Sequence, residues 1–274
     1  MPPKLGILAG TGALPRRLVE ACQADRREVF VITFEGENEN RDLPAVPGTR
    51  LPLGAVGRVL EALRQAGCRE VVLAGAFRRP AWSALKPDWR GARLLPKVMA
   101  AGGDDAVLKV IAKEMESEGF RVIGADEVQP QLLAPVAAIA GRAATPAERS
   151  DIALGRAVLR ALSPFDVGQA VVVEAGRVLG IEGPEGTDAL IDRARNLKTA
   201  GPGTGVLVKM RKRGQDQRLD RPTVGPTTVE SVAGAGFAGI AVEAGETLLV
   251  DQSALTARAL ALGVFVVGFD AERD

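Results

Sequence analysis

Residues Leu5 to Ala9 form a short apolar run that stops at Gly10-Thr11-Gly12, after which Leu14, Leu18, Val19 and Cys22 recur at helical spacing. The pattern predicts a strand, a glycine loop and a helix. Glu28 to Phe34, rich in β-branched residues, predicts a second strand, and Val56 to Ala66, stopped by Gly67, predicts a helix with a glycine cap. Glu70 to Ala74 reads as a third, buried strand. Asp104 to Glu118, opened by acidic residues and closed by Gly119, reads as a long amphipathic helix. Strands alternating with helices of this length imply a parallel, doubly wound sheet, a Rossmann-like α/β domain over 1–128.

The periodicity lapses after Phe120 to Ile123, and the stretch 129–146 collects Pro130, Pro135 and Pro146 among small residues, so a linker is expected there. A second α/β domain with a mixed sheet is expected over 147–274. It begins with a helix from Ala147 to Leu162, followed by a hairpin of Ala170 to Glu174 and Arg177 to Glu182 about the turn Ala175-Gly176. Gly186 to Leu197, Thr227 to Ala235 and Ser253 to Leu262 read as helices. Val206 to Met210, Ile240 to Glu243, Thr247 to Asp251 and Val264 to Phe269 read as strands. No solenoid period is present.

Composition narrows the chemistry. With 274 residues, two domains are the better expectation, and 46% hydrophobic with 25% charged residues describes a globular chain with sizeable cores. There is no histidine and no tyrosine, which removes Ser-His-Asp and Cys-His catalysis, an imidazole general base, and histidine-bound zinc or haem. A formal charge of +1 gives no global field for nucleic acid or anionic membrane, so any affinity for phosphate must be local. Cys22 and Cys68 are isolated and read as buried apolar side chains. Met1 to Lys4 runs into the first strand without a signal sequence, and no apolar run approaches the roughly 20 residues of a membrane span. A cytoplasmic location is expected.

Four stretches carry candidate chemistry. The loop from Gly10 to Pro15 leaves a strand and opens a helix, the setting for a phosphate cradle, yet Pro15 stands where a third fingerprint glycine would be. A tight strand-to-helix turn explains the loop equally well. Glu35, near the end of the second strand, stands where a ribose-binding acid would be. In Gly183 to Ala189, Thr187 and Asp188 either only cap a helix, or the carboxylate of Asp188 joins that of Glu182 in facing a metal. Lys209 to Gly225 holds six Lys or Arg and two Asp, with Asp220 between Arg218 and Arg221. It reads as a solvated basic loop or as a carboxylate set among cations to hold Mg²⁺ and offset polyphosphate charge. Phe77 to Lys97 contains both tryptophans and six basic residues with Asp88 as its one acid, a composition that suits a lipid headgroup surface or a domain or subunit contact.

The segments KLGILAGTGALP, LAGAFRRPAWSALKPD with GARLLPK, GGDDAVL, DVGQAVVVEAGRVLGIEGPEGTDA, RLDRPTVGPTTV and LLVDQSALTARALALGVFVVGFD occur here in an order that resembles the LpxI family across nearly the whole chain. The resemblance implies Mg²⁺-dependent hydrolysis of the pyrophosphate of UDP-2,3-diacylglucosamine to UMP and the diacylated sugar 1-phosphate, lipid X, with the substrate between two α/β domains. The family's essential aspartate falls on Asp220, its E-G-T-D-A segment on Glu185 to Ala189, and its glycine loop on Gly10, Thr11 and Gly12. Pro184 and Arg221 depart from the family pattern without changing a carboxylate. On these matches Asp220 is the expected catalytic residue. Gly10, Thr11, Gly12, Arg79, Gln169, Gly186, Thr187, Lys209, Arg218 and Thr223 are expected to bind substrate, and Asp220, Asp188 and Glu182 to ligate Mg²⁺. Transient contact with the inner-membrane surface is expected, nucleic acid is not, and a homodimer is left open. A nicotinamide-dependent oxidoreductase using Gly10, Gly12 and Glu35, and an RNA-binding module using the arginine-rich loop, are the alternatives.

Overall fold

The computed structural model describes residues 2–36, 42–77, 85–101 and 103–272, Asp104 by its backbone alone. The chain divides into two compact units, Met1–Pro130 with Asp216–Asp220, and Gln131–Gln215 with Arg221–Asp274.

Unit 1 runs β1 (Leu5–Ala9), α1 (Leu14–Ala24), β2 (Val29–Phe34), β3 (Gly48–Leu51), α2 (Val56–Gln65), β4 (Glu70–Ala74), α3 (Trp89–Ala100), α4 (Asp104–Ser117), β5 (Arg121–Val122) and α5 (Ala125–Val128). Its sheet is wholly parallel with order β3-β2-β1-β4-β5, compatible with the expected doubly wound arrangement. β1 and β4 are buried along their whole length, which is why they read as unbroken apolar runs. Leu60 and Leu63 of α2, Leu94 of α3 and Met115 of α4 pack with Leu8, Val71 and Leu73 of these strands in one core.

Unit 2 runs β6 (Ala138–Ala140), α6 (Pro146–Leu162), β7 (Ala170–Glu174), β8 (Arg177–Ile181), α7 (Thr187–Arg195), β9 (Val206–Lys209), β10 (Thr223–Val224), α8 (Pro226–Gly234), β11 (Gly239–Glu243), β12 (Leu248–Leu249), α9 (Gln252–Leu262) and β13 (Phe265–Phe269). The main sheet is mixed, in the order β6-β13-β11-β9-β7-β8, and β10 pairs with β12 in a small parallel ribbon. Alternation along the strands divides the core. Val172, Leu207, Ile240 and Val242 pack with residues of α7, α8 and α9, whereas Val171, Val173, Val208 and Ala241 pack with Ile152 and Leu159 of α6. The stretch 129–146, read as a linker, contains β6, which pairs antiparallel with β13 at the sheet edge.

Local chemistry fixes the ends of these elements. Thr145 and Glu148 form a reciprocal capping box at the start of α6, and Arg142 bonds both oxygens of Glu148. The Asp151 carboxylate accepts from the amides of Ala175 and Gly176 at 2.9 and 2.7 Å, holding the β7–β8 turn in which Ala175 adopts φ 50°.

Glu174, at the end of β7 and 1% exposed, is a buried carboxylate that accepts hydrogen bonds from four donors. Burial alone would raise its pKa. Hydrogen bonds from Lys198 Nζ, the Thr199 amide, Thr204 Oγ1 and the Ala200 amide outweigh that and lower it to about 2. A folded-state pKa below the unfolded value stabilises above about pH 4.5, and the contribution is lost as pH falls toward 2. Glu174→Gln is therefore expected to lower unfolding free energy by about 2 kcal/mol at pH 7, a gap that narrows toward pH 3 in urea titrations. A gap independent of pH would contradict this assignment.

Candidate functional site

The glycine loop is shaped by close approach. The Gly10 amide donates to Ala74 O at 2.8 Å, and Thr11 exchanges backbone bonds with Ala76, Thr11 N to Ala76 O at 2.8 Å and Ala76 N to Thr11 O at 3.0 Å. A Cβ on Gly10 would stand 2.5 Å from Ala76 O, and one on Gly75, at φ +86°, 2.2 Å from Thr11 O. Glycine is needed here so that the chain leaving β1 can lie against the chain leaving β4. In this arrangement the Gly10 and Thr11 amides are bonded to protein carbonyls rather than presented to a phosphate. That is the tight-turn reading of the loop, and it removes the main support for a dinucleotide site. Gly12 follows at φ 93°, and Glu35 lies 3.8 Å from Lys86.

Beside that junction unit 1 encloses a cavity of about 350 Å³, the size of a small-molecule site. Leu8 and Leu73 of the sheet, Phe77, Leu94, Leu95 and Val98 of the α3 region, and Val107, Leu108 and Ile111 of α4 line it, together with Leu219 and Asp220. Among its described lining residues Asp220 carries the one charge. α3 can cover this cavity because Gly91 meets Gly54: a Cβ there would stand 2.1 Å from Gly54 O. Asp88 holds the helix start, accepting from the amides of Gly91 at 2.8 Å and Arg58 at 2.9 Å.

Asp220 reaches the cavity because the segment Asp216–Asp220, which follows β9 in sequence, is part of unit 1. Arg218 anchors it. Its Nε and Nη2 donate to the two Asp216 oxygens at 3.0 and 2.7 Å, and Nη1 donates to Glu116 of α4 at 2.6 Å and to Val122 O at 3.1 Å. The neighbouring Leu219 is buried in the unit 1 core. The Arg218 guanidinium holds Asp216 below the usual carboxylate range, and Asp216 and Glu116 in turn raise the arginine. Every guanidinium nitrogen thus has a protein acceptor, so Arg218, expected to bind substrate, is an anchor for the loop.

Three more cations of the basic run are paired, while Arg213 is exposed. Arg211 and Arg221 meet Glu246 at 2.8 and 2.9 Å, and Lys212 meets Asp166 at 2.5 Å. A solvated basic loop and an RNA-binding strip both require cations turned to water, and Arg211, Lys212, Arg218 and Arg221 are instead engaged by carboxylates. Burial raises the pKa of Glu243 at the end of β11, offset in part by the Arg211 amide it accepts at 2.8 Å.

Unit 2 brings five of the expected residues together at the ends of β8 and β9. Lys209, 4% exposed, donates from Nζ to Thr187 Oγ1 at 3.0 Å and Thr223 O at 3.2 Å. Thr187 donates to Glu182 Oε1 at 2.6 Å, and the Gln169 amide N–H donates to Glu182 Oε2 at 2.8 Å. The result is a buried Lys–Thr–Glu relay. Gln169 Oε1 is itself buried without a hydrogen-bond partner, an acceptor that a ligand hydroxyl or N–H would satisfy. Gly186, at φ +85°, opens α7, and Asp188 is exposed in its first turn with Oδ1 accepting from Ser231 at 3.3 Å. Arg79 lies outside the described residues.

Of the three expected metal ligands, Asp220 belongs to unit 1 and Glu182 and Asp188 to unit 2. Among the described residues, no group of three or more Cys, Asp or Glu is placed to hold a metal ion. The hard oxygens of Asp220 suit Mg²⁺, which commonly takes one or two carboxylates and completes its shell with phosphate oxygens and water. Glu182 fits less well, since both oxygens already accept protein hydrogen bonds. The sequence reading missed the cavity walls from α3 and α4. The signal for the α3 wall is the helical spacing of Gly91, Leu94, Leu95 and Val98 behind the Asp88 cap, which Pro96 interrupts in sequence.

Residues 4–132 match the model of the LpxI N-terminal domain, and residues 135–267 match that of the LpxI C-terminal domain. A relative from Caulobacter vibrioides, the UDP-2,3-diacylglucosamine pyrophosphatase LpxI, is 40% identical over 97% of this chain and 98% of its own. Among solved structures, the biotin carboxylase domain of the 2-oxoglutarate carboxylase of Hydrogenobacter thermophilus is similar at 13% identity and a TM-score of 0.28, over 75% of this chain. The chain spans 43% of that structure's length, and a likeness this weak carries no argument.

The anchoring role of Arg218 makes a prediction about stability. Arg218→Ala strands Asp216 and Glu116 without their partner and should cost about 1–3 kcal/mol, lowering Tm and speeding proteolysis between 211 and 221. Wild-type Tm with a weakened substrate KM alone would return Arg218 to a purely ligand-binding role.

Proposed function

The chain belongs to the LpxI family, and from that membership we propose that it hydrolyses the pyrophosphate of UDP-2,3-diacylglucosamine, giving UMP and 2,3-diacylglucosamine 1-phosphate with Mg²⁺ as cofactor. The observation that carries this reading is the apolar cavity in which Asp220 is the one charged residue among the described lining residues. A substrate that joins acyl chains to a pyrophosphate asks for an apolar recess next to a group that manages phosphate charge, and this recess supplies both.

Hydrolysis adds water across one P–O bond of the bridge. Water's oxygen bonds to one phosphorus, the bridging oxygen leaves with the other, and water's two protons pass to the two new phosphate monoesters, which mostly release them near neutral pH because the second pKa of each is about 6. None of this needs imidazole; it needs charge neutralisation and placement. Asp220 is the residue proposed to hold Mg²⁺, which when bound would neutralise phosphate charge and lower the pKa of coordinated water. The remaining roles belong to unit 2. Lys209 is proposed to offset charge on a phosphate oxygen, held in place by Thr187 and the Thr223 carbonyl. Glu182 acts through Thr187 as a positioning residue, fixing the hydroxyl so that its lone pair faces Lys209. Gln169, with its unpartnered Oε1, is proposed to accept from a sugar or uracil donor of the substrate.

A lipid substrate also brings the chain to the inner-membrane surface, as a peripheral rather than a spanning protein; no described helix is long and apolar enough to cross a membrane. The test is UMP release from UDP-2,3-diacylglucosamine with Mg²⁺ and with EDTA. Wild type should turn over with Mg²⁺ and stop in EDTA, and Asp220→Ala should keep its Tm while losing at least about a thousandfold in kcat. Wild-type rates in Asp220→Ala, or turnover in EDTA, would overturn the assignment of Asp220 or of the metal respectively. Lys209→Met is expected to cut kcat/KM by about a hundredfold or more, with Glu182→Gln showing a smaller loss of the same kind.

A further inference from the structure

α3 has two unlike faces. Gly91, Leu94, Leu95 and Val98 point inward and line the apolar cavity. On the other side Trp89 is 80% exposed and Met99 59% exposed, with Arg93 and Lys97 also turned to solvent one and two turns beyond the tryptophan. No acidic residue occurs between Trp89 and Ala100. Asp88 is engaged by the Gly91 and Arg58 amides, and Arg90 is engaged by Glu118 at 2.6 Å. The outer face therefore presents an indole, a thioether and two cations, with no carboxylate among them.

We propose that this outer face of α3 docks the chain on an anionic phospholipid surface. Indole and thioether are side chains that settle at the boundary of headgroup and acyl chain, and cations spaced about one turn apart along the same face complement lipid phosphate. A protein partner or a second copy would have to bring its own acids to Arg93 and Lys97, whereas an anionic bilayer supplies negative charge over its whole area. The geometry also gives the contact a use. The cavity lies on the inner side of the same helix, so docking brings it within about one helix diameter, roughly 10–12 Å, of the lipid. That use rests on the lipid-substrate reading above; the docking itself does not.

The experiment is co-sedimentation of the full chain with vesicles of phosphatidylcholine containing about a third phosphatidylglycerol, and with phosphatidylcholine alone, at low and high salt and without substrate. Wild type should pellet with the anionic vesicles, and binding should weaken as salt rises. The triple variant Trp89→Ser, Arg93→Glu, Lys97→Glu should partition at least about tenfold less, with unchanged circular dichroism, while Arg93→Lys should bind as wild type. Failure of wild type to bind, equal binding by the triple variant, or loss of self-association in sedimentation velocity in place of vesicle binding would each overturn the proposal. Turnover of substrate in detergent micelles is measured in parallel. Absence of vesicle binding with intact micellar turnover defeats the docking face alone, and vesicle binding without turnover defeats the pyrophosphatase reading alone.

Discussion

The placement of Asp220 depends on one clamp. Arg218 grips both oxygens of Asp216 and reaches Glu116 and Val122 O, while Leu219 enters the unit 1 core. Together these contacts hold five residues that follow β9 within the first unit. Without the clamp, a carboxylate from a polar loop would have no reason to line an apolar cavity. With it, the acid is held on the wall of that cavity. The polar part of the clamp is internally paired, and Asp220 is the charged group among the cavity's described lining residues.

The second unit works by the same principle with opposite sign. Lys209 sits at the end of a fully buried strand, and an ammonium there requires acceptors. Thr187, placed at the first turn of α7 by the glycine at 186, supplies one, and Glu182 fixes that hydroxyl from the end of β8. The sequence spacing between Glu182 and Thr187 is thus explained by the relay, in which Thr187 bridges Glu182 and Lys209.

Much of the fold was legible because its central strands are buried on both faces and read as unbroken apolar runs; β1, β4, β7 and β9 fall within the expected stretches, and β11 begins one residue before its own. The parts that were not legible owe their structure to distant partners. β3 and β6 are edge strands without a periodic signal of their own, and α3 is a helix despite Pro96 because Asp88 caps it and Gly91 lets it close on Gly54. At the site, Asp220 stood out as an acid between two arginines. What local spacing could not convey was that Arg218 bonds Asp216, Glu116 and the Val122 carbonyl, or that Gly10 and Thr11 serve the junction with Ala76. A cation in a basic run and a glycine in a loop look alike in sequence whether they hold a phosphate or hold the chain.

The central claim is that the Asp220 cavity receives an acyl chain of the substrate. The direct measurement is kcat/KM across a series of acyl lengths for wild type and for Val98→Trp, which puts an indole into the cavity from a half-buried position on its wall. The account predicts that wild type gains with each added methylene until the cavity is full, and that Val98→Trp loses at least about tenfold on long-chain substrate while short-chain turnover is little changed. A length dependence unaltered by the indole would show that the acyl chains lie elsewhere and would contradict the account.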